Sequence, residues 1–230
     1  MSAESAQVEE RSDLMRIFLD TANIDQIRQA AKLGVISGVT TNPSLVSKEG
    51  LADYKAVVKE ICSIIPGPVS AEVLVEGAQA MIEQARDIFT WAPNVVIKIP
   101  ATTDGLEAIS ILAREKIKIN MTLCFSLNQA ILGALAGATY VSPFVGRLDD
   151  AGHNGMELVR DIVDVFTHYQ LPTQVIAASL RHPQHCVAAA KARAHIVTIP
   201  YQVLMQMIHH PLTDIGVARF LSDWRQVSQG

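Results

Sequence analysis

Short runs of β-branched and apolar residues alternate along the chain with longer stretches in which apolar positions recur every three to four residues. The short runs read as strands: Arg16–Asp20 (RIFLD), Ser37–Thr41 (SGVTT), Pro68–Leu74 (PVSAEVL), Val95–Pro100 (VVIKIP), Ile117–Leu123 (IKINMTL), Thr139–Val145 (TYVSPFV), Gln174–Ser179 (QVIAAS) and His195–Pro200 (HIVTIP). Helical spacing lies between them in Ile24–Leu33, Leu51–Ile64, Gly77–Phe89, Leu106–Ala113, Leu127–Leu135 and Met156–Phe166. Asn23, followed three places later by Gln26, predicts a capped start to the first helix, and Gly34, Gly67 and Gly137 punctuate exits. Strand–helix alternation predicts a parallel sheet, because parallel neighbours need a crossover and a helix supplies it. Eight such units, with no linker rich in Pro, Gly or Ser, predict an α/β chain folded as a single (β/α)8 barrel over residues 15–230. An open doubly wound sheet competes, but the first loop lacks the GxGxxG of its dinucleotide-binding form.

After the eighth strand come helical stretches at Tyr201–His209 and Leu212–Val227, one more than closure requires. The last carries Leu212, Ile215, Val217, Phe220, Leu221 and Trp224, apolar surface that must pack on its own barrel or on another subunit. Met205 and Met207, around Gln206, read as helix core. At the other end, residues 1–14 are polar and acidic without periodicity; they predict a loose extension and do not resemble a secretory signal.

Composition narrows the partners. A formal charge of −4 gives no bulk attraction to nucleic acid or to an anionic membrane, so any anion must be gripped locally. No stretch of about 18 uncharged apolar residues occurs, so no membrane-spanning helix is expected. Cys62, Cys124 and Cys186 are far apart, without a CxxC, among apolar neighbours; they read as buried thiols of a cytoplasmic protein.

Candidate chemistry collects where the strands end. The runs are apolar until their last positions, which present Asp20, Thr41–Asn42, Glu72, Lys98, Asn120 with Thr122, Ser142 and Ser179. In a barrel these ends form the rim where active sites are built. Lys98 is the only charge in VVIKIP. A desolvated amine loses its proton more readily, and a neutral lysine attacks carbonyls to form a Schiff base. A lysine snorkelling to solvent from a strand end is the alternative. Glu72 suits acid/base work on such an intermediate, or else merely pairs with Lys98. Asp20 could take a proton from a substrate hydroxyl, whereas Asn42 before Pro43 is also an ordinary turn signal. Arg147 and Arg181, just beyond strands six and seven, are candidate phosphate ligands, or simply solvated loop arginines. His182 and His185 form an HxxH without an evident third ligand, so no metal is expected; Asp149 and Asp150 read as solvated, and Cys124 as packing.

The motifs FLDTAN, GVTTNPSL, VVIKIPATTDGLEAI, INMTLCFSLNQA and YVSPFVGRLDD, in that order between Met15 and Trp224, resemble the transaldolase family, in its short-chain branch that also contains fructose-6-phosphate aldolases. The resemblance implies that Lys98 forms the Schiff base, that Asp20 is the acid/base of the aldol step, and that Glu72 works with Thr122 and a water. It further implies that Asn42, Asn120 and Ser142 hold the dihydroxyacetone hydroxyls, and that Arg147 and Arg181 bind the sugar's distal phosphate, with Thr41, Phe144 and Ser179 lining the same site. Family members need no metal or organic cofactor. The aldolases carry glutamine where Glu72 stands and tyrosine where Phe144 stands, so both positions point to a transaldolase of the pentose phosphate pathway. Homo-oligomers, decamers joined through the C-terminal helix, are implied as well.

Overall fold

A computed structural model describes residues 14–50 and 53–227. Eight parallel strands close into one barrel in sequence order: β1 Arg16–Asp20, β2 Ile36–Thr40, β3 Val69–Glu72, β4 Val95–Pro100, β5 Ile119–Cys124, β6 Tyr140–Pro143, β7 Gln174–Ala177 and β8 Ile196–Ile199. Closure by β1 pairing with β8 removes every sheet edge and rules out the open doubly wound sheet. The outer ring read from periodicity is present as α1 Ile24–Lys32, α3 Tyr54–Ile64, α4 Ala78–Phe89, α5 Thr103–Arg114, α6 Leu127–Leu135, α8 Gly155–His168, α9 Pro183–Lys191 and α10 Tyr201–Ile208. Two short helices, α2 Pro43–Lys48 and α7 Val145–Asp150, follow β2 and β6 directly, and α11 Pro211–Val227 ends the described chain.

Local chemistry explains the helix starts. Side chains of Asn23, Asn42, Asp53, Thr102, Ser126, Asn154 and His182 each accept a backbone N–H of the first turn, meeting donors that the helix itself leaves unpaired. The start expected at Leu51 lies outside the described residues, and α3 begins at Tyr54 behind its Asp53 cap. Most of the extension assigned to residues 1–14 also lies outside them. Gly105 allows α5 to seat against β4, since a Cβ there would lie 2.0 Å from the Pro100 carbonyl oxygen.

The main apolar core lies between sheet and helices, and includes Leu19, Ile97, Ile119, Val141 and Val197 from the outward-facing strand positions. A second cluster of Phe18, Val96, Tyr140, Ile176 and Ile196 fills the barrel interior. Its Phe18 ring occupies the space a side chain on Gly38 would need, where a Cβ would fall 2.6 Å from the ring. Above this plug, strand parity points Asp20, Thr40, Lys98, Asn120, Ser142 and Thr198 to the same side as Phe18 and its partners.

The two last helices depart from expectation. Val203 and Leu204 are buried, but Met207, read as core, is exposed, as is Ile208 beside it. No residue of α11 is buried, so its apolar side chains are not part of the barrel's core.

Candidate active site

Parallel register sets the site. β3, β4 and β5 align Glu72, Lys98 and Asn120 side by side, and β1 with β2 aligns Asp20 and Thr40. Lys98 is 5% exposed, which discards the snorkelling reading. Its Nζ lies 3.1 Å from Glu72 Oε2, donates to the Thr41 carbonyl at 3.4 Å and stands 6.0 Å from the Phe144 ring centroid. An ammonium removed from water needs such compensation.

Asp20 is held differently. Thr40 Oγ1 donates to Asp20 Oδ1 at 2.7 Å and therefore accepts from Thr198 Oγ1 at 2.6 Å. Burial raises the Asp20 pKa above the ordinary carboxylate value; the Thr40 hydrogen bond and the nearby Lys98 and Lys48 charges pull the other way. Asn120 is fixed at both ends, its Oδ1 accepting from Ser142 at 2.6 Å and its Nδ2 donating to Ser70 Oγ at 3.2 Å. Thr122 Oγ1 is buried without a hydrogen-bond partner among the described residues.

One cavity of about 110 Å³ brings together Asp20, Asn42, Lys98, Asn120, Ser142, Phe144, Arg147 and Ser179, with Thr40, Ala178 and Thr198 completing its wall. Asn42 lines this cavity, and its side chain also caps α2 at Leu45 N. Thr41 faces the other way: its hydroxyl donates to the Ser70 carbonyl at 2.9 Å, and only its own carbonyl reaches Lys98. The residue of that pair with its side chain in the cavity is Thr40. Neither Thr40 nor Thr198 stands out in the sequence, because threonine is common in strands. Ser179 reaches the wall from a left-handed backbone, φ 60°, in which a non-glycine residue is strained.

The two arginines separate. Arg147 lies at the cavity with its guanidinium carbon 5.1 Å from the Phe144 ring centroid. Arg181 lies outside, in an adjoining groove with Lys48, Ser179 and Asp20, and the two spaces meet at Asp20 and Ser179. It crosses Gly146, where a Cβ would sit 2.8 Å from its Nε, and both terminal nitrogens bond Asp150, one at 2.6 Å to Oδ1 and the other to Oδ2. Asp149 and Asp150 are thus not free solvated acids: Asp149 accepts from Gly155 N at 2.9 Å and faces His185 Nε2 at 3.2 Å. Burial, helped by His182 and Arg181, lowers the His185 pKa, and its Nδ1 accepts the Arg181 N–H, so the neutral ring donates through Nε2. Among the described residues no three His, Cys, Asp or Glu side chains gather as metal ligands. Burial pushes the Cys124 and Cys62 thiols up to about 11, which makes both poor nucleophiles.

A family model described as Transaldolase/Fructose-6-phosphate aldolase matches residues 17–229. The chain belongs to this family. It is 63% identical over 216 residues to a probable transaldolase of Dehalococcoides mccartyi, covering 94% of this chain and 100% of that one. A probable transaldolase of Desulforudis audaxviator is 62% identical over 215 residues, again covering 94% and 100%. One of Caldicellulosiruptor saccharolyticus is 59% identical over 214 residues, covering 93% and 98%. The barrel is similar to the crystal structure of 2,3-dimethylmalate lyase, a PEP mutase/isocitrate lyase superfamily member, with a TM-score of 0.58 at 14% identity over 100% of this chain and 89% of that one. That likeness concerns the fold alone.

Proposed function

We propose that the protein is a transaldolase, moving a dihydroxyacetone unit from a ketose phosphate such as sedoheptulose 7-phosphate or fructose 6-phosphate to an aldose phosphate such as glyceraldehyde 3-phosphate or erythrose 4-phosphate. The observation that carries this is a buried lysine amine in reach of Glu72 and sharing one cavity with the Asp20 carboxyl. Glu72, at 3.1 Å, takes a proton from Lys98 Nζ, and the freed lone pair attacks C2 of the ketose. The protonated carboxyl returns its proton to the carbinolamine oxygen, water leaves, and an iminium remains. The buried Thr122 hydroxyl, without a partner among the described residues, holds that water.

Asp20 then removes the C4 hydroxyl proton. Its proton affinity, raised by burial, suits it to act as a base toward an alcohol. The C3–C4 bond breaks, its electron pair enters the iminium, and an aldose phosphate departs from the covalent enamine. An incoming aldehyde reverses these steps. Asn42, Asn120 and Ser142 bind the hydroxyls of the three-carbon unit, and Arg147, Arg181 and Ser179 bind the distal phosphate. The Phe144 ring has no proton to give the enamine, which supports waiting for an acceptor over release of free dihydroxyacetone. Neither step needs a metal or an organic cofactor.

In the cell we place the protein in the cytoplasm, where its three free thiols remain reduced. No helix among the described residues is long and apolar enough to cross a membrane. The exposed apolar side chains of α11 support a homo-oligomer, a decamer by family resemblance. The deciding test is borohydride with fructose 6-phosphate. An irreversible mass increase on Lys98, absent in Lys98→Ala together with turnover, is expected; retention of turnover by that variant would refute the proposal. Accumulation of glyceraldehyde 3-phosphate without erythrose 4-phosphate would instead indicate a free aldolase.

A further inference from the structure

The seam between β2 and β3 stops one bond early, at the point where the amine is held. Thr41 N donates to the Ser70 carbonyl at 3.1 Å, and regular parallel pairing would next join Glu72 N–H to the Thr41 carbonyl. Neither group makes that bond. Glu72 N–H donates at 2.8 Å to the hydroxyl of Tyr54, the first residue of α3, and the Thr41 carbonyl accepts from Lys98 Nζ at 3.4 Å. The Thr41 hydroxyl spends its proton on the Ser70 carbonyl, so at 3.3 Å the Tyr54 O–H donates to Thr41 Oγ1. The phenol thus replaces one rung of the sheet. Its ring is fixed by an edge-to-face contact with Trp91, centroids 5.8 Å apart at 86°.

We infer that Tyr54 is a positioning residue for imine formation: its hydroxyl takes the Glu72 N–H, keeps the Thr41 carbonyl free for Lys98, and so sets the acid and the amine against each other. This rests on the transaldolase reading above. Burial raises the Tyr54 pKa and keeps the phenol protonated, as the donor role requires. In Tyr54→Phe the Glu72 N–H loses its acceptor, and closing the missing rung to the Thr41 carbonyl would draw the Glu72 backbone toward the oxygen that Lys98 Nζ bonds, changing how acid and amine face each other.

The test is the rate at which fructose 6-phosphate and borohydride label Lys98, followed by mass spectrometry from pH 5 to 9. Tyr54→Phe should label about tenfold more slowly, the effect of about one buried hydrogen bond, and its pH–rate profile should be displaced. Thr41→Val, which removes the acceptor of the Tyr54 proton along with the hydroxyl's own bond to the Ser70 carbonyl but leaves the Tyr54–Glu72 bond, should change rate and profile in the same direction by less. Val58→Ala, in the core face of α3, controls for loosening of that helix and should leave the profile in place. Unchanged labelling in folded Tyr54→Phe, or an equal slowing in Val58→Ala with the same profile, would overturn the inference. Should Tyr54→Phe fail to fold, an unaltered profile in Thr41→Val overturns it equally. Wild-type protein that never labels refutes the transaldolase reading itself, and this inference with it.

Discussion

Removing α11 tests whether its exposed apolar side chains join subunits. Seven apolar side chains (Leu212, Ile215, Val217, Phe220, Leu221, Trp224 and Val227) are 52 to 74% exposed. Full burial of such a side chain is worth about 1.5–3 kcal/mol, so covering the part left open contributes roughly 1–2 kcal/mol each and on the order of 10 kcal/mol per helix. Bringing two subunits together costs about 4–15 kcal/mol, so this face decides whether association is favourable. Because α11 buries nothing on its own barrel, a chain ending at Pro211 keeps its core. Light scattering should give a multiple of 25.0 kDa for the whole chain and one subunit mass for the shortened one, with circular dichroism showing the barrel still folded. Phe220→Asp combined with Trp224→Asp should repeat the loss without shortening the chain. An assembly that survives truncation, or a monomeric whole chain, would refute the reasoning.

Asp20→Asn should raise stability at neutral pH while reducing turnover by at least about a hundredfold. Burial holds the folded pKa of Asp20 above its unfolded value, so folded protein binds the extra proton, and stability falls as pH rises from near 3.8 through the folded pKa. Asparagine never ionises; urea melts of the two proteins should diverge at pH 7 and converge in acid, and equal stability at pH 7 would contradict the burial argument. Asp150→Ala frees Arg181 from an ion pair that is half exposed, worth at most about 1 kcal/mol. Steady-state kinetics should therefore show KM for phosphorylated ketoses falling by up to about fivefold with kcat little changed, and a raised KM would mean that Asp150 orients Arg181 instead.

Much of this molecule is legible before any coordinates. Period-two runs and intervening helical spacing identify all eight strands within a few residues of their observed ends, since each apolar face has only one way to be buried. Lys98, Asp20 and Glu72 stand out because charges at strand ends conflict with their apolar surroundings. A one-residue error matters most in β2, read as Ser37–Thr41 but observed as Ile36–Thr40; side-chain alternation then selects Thr41, although Thr40 enters the cavity. The short α2 and α7 contain too few turns to display a period. The Arg181–Asp150 pair and the reach of Tyr54 to Glu72 join residues 31 and 18 apart, distances over which the pattern of one chain carries no signal. Met207 looks like core because apolarity alone does not say which side chains the fold leaves exposed.

The packed floor formed by Phe18, Val96, Tyr140, Ile176 and Ile196 has a kinetic consequence. With the bottom of the cylinder stoppered, donor, first product and second reactant all reach the amine from the rim side. The aldose fragment has to vacate before its replacement can come in, and the enzyme meanwhile carries its three-carbon cargo on nitrogen. Such traffic is a ping-pong sequence, in which each substrate, in excess, competes for the form of the enzyme intended for the other.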